Sequence, residues 1–241
     1  EMELRTDSYL HEIAERLKAQ GVSDVSAEPL LGESAEQIIE MAEEDDGTLV
    51  TMATHGSGGI VRWTVGSVTD RVVRHSHGQT LVVRTTPGGD DSPTSTQFTR
   101  VLVPLDGSKL AEDALESAGS LAKALNVPVT LLEVGDRLQI FNEMWPQDPN
   151  IAARLQDQTA AYLESKAEEL SAKGVEVIVL EFGPGDPAGV VVDMVDEVPG
   201  TLVVMTTHGR GGLKRWTLGS VADRVIRHSN GATLVIYSAE K

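Results

Sequence analysis

The 241-residue chain contains no cysteine, and only 4% of its residues are aromatic. Disulfides, thiol catalysis and zinc–thiolate centres are thereby excluded, which suits a reducing compartment. With 40% hydrophobic residues and few rings, its cores must be built from aliphatic side chains. No apolar run approaches the roughly 18 residues of a membrane-spanning helix, and none reads as a signal peptide. A cytoplasmic location is therefore expected. Positive charge is scarce as well, with 20 Lys and Arg against 37 Asp and Glu and a formal net charge of −17. A field of that sign repels nucleic acid and anionic lipid, so neither is an expected partner. Two well-known phosphate motifs are also missing. No G-x-x-x-x-G-K-[ST] occurs, and no G-x-G-x-x-G follows the first strand of a unit.

What is present is a glycine-rich stretch carried twice. Thr201–Ser220 reads TLVVMTTHGRGGLKRWTLGS, and Thr48–Ser67 reads TLVTMATHGSGGIVRWTVGS. Each is a short apolar strand, a loop rich in unencumbered N–H groups, and the opening of a helix. Free amides at the positive end of a helix dipole form an anion site, and a phosphate is the expected guest. Around the second copy lie Arg210, Lys214, Arg215, Arg224 and Arg227 against Asp223 alone, a basic island in an acidic protein.

The repetition extends well beyond the loop. A shift of 153 residues aligns Tyr9 with Tyr162, Gly21 with Gly174, His55 with His208 and Gly66 with Gly219. Roughly 40 of about 86 compared positions are identical, which marks an internal duplication. The match begins with Glu1 opposite Arg154, so a strand, a helix, a second strand and a long loop in the second copy have no counterpart in the first. Residues upstream of Glu1 are expected to supply those strands, because without them a sheet would be left with open edges. Composition places a Pro/Gly/Ser/Asp-rich connection between the copies. The expected organisation is a first repeat over 1–87, a linker over 88–97 and a second repeat over 98–241.

In the first copy, helical spacing over Glu1 to Gln20 predicts an amphipathic helix, followed by a weak strand over Val22 to Leu31. A helix from Ser34 to about Glu44, the strand Thr48–Met52, a helix from about Thr64 to His75 and the strand Thr80–Arg84 complete it. The second copy predicts strands at Arg100–Leu105, Val129–Val134, Val175–Glu181, Thr201–Met205 and Thr233–Tyr237. Helices between them include one opened by the Asp186-Pro187 pair and one over about Thr217–His228. Strict β-α alternation with right-handed crossovers gives an α/β fold, a five-stranded parallel sheet per repeat with helices on both faces. Ligands of such sheets bind beyond the carboxyl ends of the strands, where Pro104–Ser108, the segment after Val134 and Thr207–Ser220 converge.

The pattern H-G, nine residues, G-S runs from His208-Gly209 to Gly219-Ser220 and from His55-Gly56 to Gly66-Ser67. With this motif after the fourth strand and Asp106 closing the first, the chain resembles a tandem universal stress protein over essentially its whole length. The resemblance implies two Rossmann-like domains of the adenine-nucleotide alpha hydrolase type, the first lacking its N-terminal β-α-β portion here. It implies ATP as ligand, with Mg²⁺ held mainly by the phosphates. Gly209, Gly219 and Ser220 match the phosphate-binding positions, Asp106 the nucleoside-binding Asp, and Val134 the place where adenine packs. Pro104, Thr206, His208, Arg210 and Val221 complete the expected set, and Gly56, Gly66 and Ser67 are its remnant in the first copy. The first glycine of the family pattern is Thr206 here and Ala53 in the first copy. The resemblance further implies pairing of the repeats through Thr80–Arg84 and Thr233–Tyr237 as an intramolecular pseudo-dimer, and it leaves room for a homodimer.

Other residues have plainer readings. His208 and His55 either donate to phosphate or bond to loop backbone. Trp216 and Trp63 are expected to pack helix starts rather than stack on a base. Asp223 with Arg224 and Arg227 reads as helix-surface charge, and Glu181 with Asp186 is no catalytic pair because Asp186 serves as a cap. Three functions stay open: a stress-response regulator that binds ATP, a slow enzyme acting on the ATP phosphates, and a nucleotide-free interaction module.

Overall fold

The protein is described from a computed structural model, which defines residues 2–45, 47–54, 65–84, 97–134, 149–182, 185–208 and 218–238. Among them seven strands form a single sheet: β1 (Leu49–Ala53), β2 (Gln79–Val83), β3 (Arg100–Leu105), β4 (Val129–Val134), β5 (Val177–Phe182), β6 (Thr201–Thr206) and β7 (Ala232–Ile236). Their order across the sheet is β1-β2-β7-β6-β3-β4-β5. Every adjacent pair is parallel except β2 with β7, which runs antiparallel with Gln79 opposite Ile236 and Val82 opposite Thr233. The two repeats therefore share one sheet, joined through their last strands as the resemblance implied.

Eight described helices accompany this sheet: α1 (Met2–Ala19), α2 (Ser34–Glu43), α3 (Ser67–His75), α4 (Lys109–Glu112), α5 (Ala114–Leu125), α6 (Pro149–Ser171), α7 (Pro187–Glu197) and α8 (Ser220–His228). Alternation along β3 sorts its side chains to two faces. Val101, Val103 and Leu105 join a core with Ala118 of α5 and Leu163 of α6, while Leu102 points to the opposite core with Val191 of α7 and Val225 of α8. All six residues of β6 are buried, as expected of a strand covered on both faces. Asp186 caps α7 by accepting from the Gly189 N–H at 3.1 Å, with Pro187 in the first turn.

Two expectations are corrected. The segment from Val22 to Leu31 forms no strand. Its counterpart in the second repeat, β5, is held by β4 alone, and among the described residues no strand lies beside Val22–Leu31 to take its ladder bonds. The helices expected from about Thr64 and Thr217 open later, at Ser67 and Ser220, because Gly66 and Gly219 adopt extended ψ values of 147° and 148°. The same lack of neighbours explains β1, whose residues alternate between exposed and half-buried where those of β6 are wholly buried.

Candidate functional site

At the centre of the second repeat the chain leaves β3 toward β4 on one side and reaches β6 on the other. Strand order reverses between β3 and β6, the switch point where sheets of this class take ligands. The ladder between them pairs Arg100–Leu102 with Thr201–Val203 and stops there. Each strand continues for three more residues, whereas β3 stays paired with β4 as far as Leu105 opposite Glu133. The two central strands thus part near their carboxyl ends and open a crevice.

One wall ends in Pro104, Leu105 and Asp106. The Asp106 carboxylate accepts from the Ser108 N–H at 2.9 Å and the Ser108 hydroxyl at 2.6 Å. Ser108 Oγ in turn accepts from the Ala111 N–H at 3.2 Å and caps α4. Gly107 supports this tight turn with a φ of +77°. The carboxylate is thereby held in one orientation at the strand end. Val134 closes β4 beside this wall and packs half-buried against the α7–α8 core.

The other wall is the end of β6. The Thr206 hydroxyl donates to the His208 carbonyl at 2.7 Å, which folds it against its own backbone. Thr207 O accepts the Gly219 N–H at 2.7 Å, tying the α8 opening to the strand end. A β-carbon at Gly219 would stand 3.0 Å from that same oxygen, so the close approach favours glycine. Gly219 also has no side chain with which to cap α8, so the first-turn amides near Ser220 and Val221 receive no bond from the N-cap residue's side chain. His208 Nδ1 lies 3.0 Å from the Thr207 hydroxyl. Its Nε2 is enclosed and has no hydrogen-bond partner among the described residues.

Beneath the β3 and β4 ends lies a polar patch. Lys166 of α6 pairs with Glu112 at 3.1 Å. Burial, and after it the carboxylates of Glu112, Glu133 and Asp106, push the Tyr162 phenol well above its ordinary value, so it stays protonated at physiological pH. Pro104, Asp106, Val134, Thr206, His208, Gly219, Ser220 and Val221 therefore all lie along one edge of the sheet. Gly66 and Ser67 open α3 in the same way, with Gly66 N donating to Thr54 O at 2.7 Å. Gly209, Arg210, Gly56, His55, Trp63 and Trp216 lie outside the described residues.

The sequence model of the universal stress protein family matches residues 1–84 and 97–236. The chain belongs to that family. Its relatives include a universal stress protein of Methanocaldococcus jannaschii, 26% identical over 144 residues that make up 60% of this chain and 85% of the relative. Another, from Mycobacterium tuberculosis, is 24% identical over 93% of this chain and 69% of the relative. The crystal structure of a universal stress protein from Archaeoglobus fulgidus superposes with a TM-score of 0.70 at 25% identity, covering 99% of this chain and 78% of that one. As two consecutive universal stress protein repeats, the chain can be read copy against copy, and one group of residues then stands out.

That group lies where α3 and α8 meet over the β2–β7 seam. Within α3, Arg74 Nε bonds Asp70 at 2.9 Å, and within α8, Arg227 Nε bonds Asp223 at 2.9 Å. Across the seam, Arg74 Nη2 reaches Asp223 at 2.6 Å and Arg227 Nη2 reaches Asp70 at 2.8 Å. The four side chains close a ring, each a quarter to a third exposed. Hydrogen bonding to the aspartates raises both guanidinium pKa values further above their ordinary range. Sequence reading named only Asp223 with Arg224 and Arg227, as helix-surface charge; Arg224 pairs instead with Asp186. The 153-residue offset between Asp70 and Asp223 and between Arg74 and Arg227 was the available signal for the rest.

Proposed function

We propose that this protein is a cytoplasmic stress-response regulator whose second repeat binds ATP in the crevice between the ends of β3 and β6. The observation that carries this reading is the pairing of Asp106, held at one strand end, with the uncapped helix opening at Gly219–Ser220 tied to the other. The acceptor would take a nucleoside hydroxyl, and the amides at the positive helix end would take phosphates. Two further features fit the ligand. Gly219 lets the helix opening approach Thr207 O at a distance that a β-carbon would crowd, and His208 Nε2 is an enclosed ring nitrogen with no hydrogen-bond partner among the described residues. Val134 offers an apolar contact for a base, and Mg²⁺ would arrive with the phosphates rather than on a protein cage. The first repeat keeps Gly66 and Ser67 in the same arrangement.

Calorimetric titration of nucleotide-stripped protein with MgATP tests the reading, alongside Asp106→Ala and Gly219→Val. Micromolar binding that both substitutions weaken at least tenfold supports it. An absence of heat at millimolar MgATP would sink it and leave the protein as an interaction module.

A further inference from the structure

The ring across the seam lies one helical turn from the candidate phosphate site. Asp223 is the fourth residue of α8, and its N–H donates to the Gly219 carbonyl at 2.9 Å. Its carboxylate is thus about one turn, roughly 5 Å along the axis, from the amides that would receive phosphate. Leu218 and Val65, the residues just before the two capping glycines, line the same recess as Asp70, Asp223 and Arg227. An unbalanced carboxylate there would repel an arriving anion. The two Arg and two Asp sum to zero charge, and Asp223 is balanced by Arg227 of its own helix at 2.9 Å and by Arg74 of the other repeat at 2.6 Å.

We propose that Arg74 is a positioning residue for nucleotide binding by the second repeat: the first repeat lends it across the seam to neutralise Asp223 beside the Gly219–Ser220 helix opening. This inference rests on the reading that the second repeat binds nucleotide. It gives the first repeat a role in the site of the second. The β2–β7 pairing aligns α3 with α8, so only the joined repeats can form the ring. Arg84 strengthens the link, because its Nη1 donates to the carbonyls of Arg227 and Ser229 at 3.0 Å each and holds the far end of α8. The duplication replaces Arg84 with Tyr237 in the second copy, so this anchoring runs from the first repeat to the second.

The test is MgATP affinity of the full chain by calorimetry, with folding of each variant checked by circular dichroism. Arg74→Met leaves a ring of net charge −1, and at that separation in a solvated setting binding should weaken about three- to tenfold. Arg74→Lys should bind within about twofold of the parent. Adding Asp223→Asn to Arg74→Met removes the unbalanced charge and should restore affinity to within about twofold, which a purely structural role for the ring would not allow. Asp223→Asn alone, which keeps both arginines, should bind MgATP about two- to fivefold more tightly, and this holds as a test if Arg74→Met fails to fold. Parent binding with an unchanged Arg74→Met overturns the proposal and spares the nucleotide reading. So does a weakened Arg74→Met that Asp223→Asn does not rescue, or a lone Asp223→Asn that binds no better. A parent that does not bind MgATP overturns both.

Discussion

Two glycines next to carbonyl oxygens show how differently one residue type can matter. Gly200 has a φ of +82°, and a β-carbon there would lie 2.5 Å from the Gln97 carbonyl and 3.1 Å from Thr99 Cγ2. Its own carbonyl accepts the Thr99 N–H at 2.9 Å, so the backbone cannot retreat without losing a bond. Both left-handed strain and a backbone clash oppose a side chain. Gly200→Ala should cost about 2–4 kcal/mol of stability in urea unfolding, with MgATP affinity of the folded protein unchanged. Gly219 has ordinary φ, and its β-carbon would meet Thr207 O at 3.0 Å. Gly219→Ala should therefore cost only about 1 kcal/mol, while MgATP affinity falls because the helix opening moves away from β6. Equal effects of the two substitutions on binding would show that Gly219 has no special place at the site.

At the scale of elements, the seam is a small two-fold core under a ring of charge. Val73, Val82, Ile226 and Val235 are buried together, with Val65 and Leu218 packed against them, so each repeat contributes matching residues. Ile226 is 5% exposed, and Ile226→Ala should cost about 2–4 kcal/mol in denaturant unfolding. The ring above contributes less, because its members are partly solvated. Burial alone would raise the Asp223 carboxyl, but Arg227 and Arg74 outweigh it and hold the group below its ordinary value. A depressed acid stabilises the fold above its unfolded pKa of about 4, and that contribution is lost as pH falls through the lower folded value. The stability deficit of Asp223→Asn should accordingly be present at about pH 6, at about 1 kcal/mol or less, and fade as pH falls through and below the unfolded carboxyl value of about 4. A deficit that persists in acid would mean the carboxylate charge is not what matters. These elements also mark how far the sequence could be read. Apolar runs buried on both faces gave β3, β4 and β6, and the H-G…G-S spacing gave the helix openings at the sheet edge. The Val22–Leu31 strand failed because a strand needs a neighbour, which local pattern does not encode. The ring was hidden for the converse reason: each Asp–Arg pair is satisfied within its own helix, and only an antiparallel seam reveals the second set of bonds.

At the scale of the whole molecule, salt acts on two opposed electrostatic effects. The ring and the exposed pairs such as Arg71–Glu36 and Arg224–Asp186 are weakened by screening, and together they amount to about 1–3 kcal/mol. Against them stands a net charge of −17 confined in one compact body. Spread over a sphere of this size, such a charge repels itself by on the order of 10 kcal/mol at low ionic strength, and most of that is relieved once the Debye length drops below about 5 Å. The expanded unfolded chain repels itself much less, so screening favours the folded state. Self-repulsion exceeds the ion pairs and decides the direction. Raising NaCl from about 20 mM to about 500 mM should increase Tm by about 10 °C, with a similar gain in Arg74→Met, because the gain comes from the whole charge and not from the ring. A Tm that falls with salt would put the local ion pairs above the global field and make the seam, rather than the net charge, the main electrostatic determinant of stability.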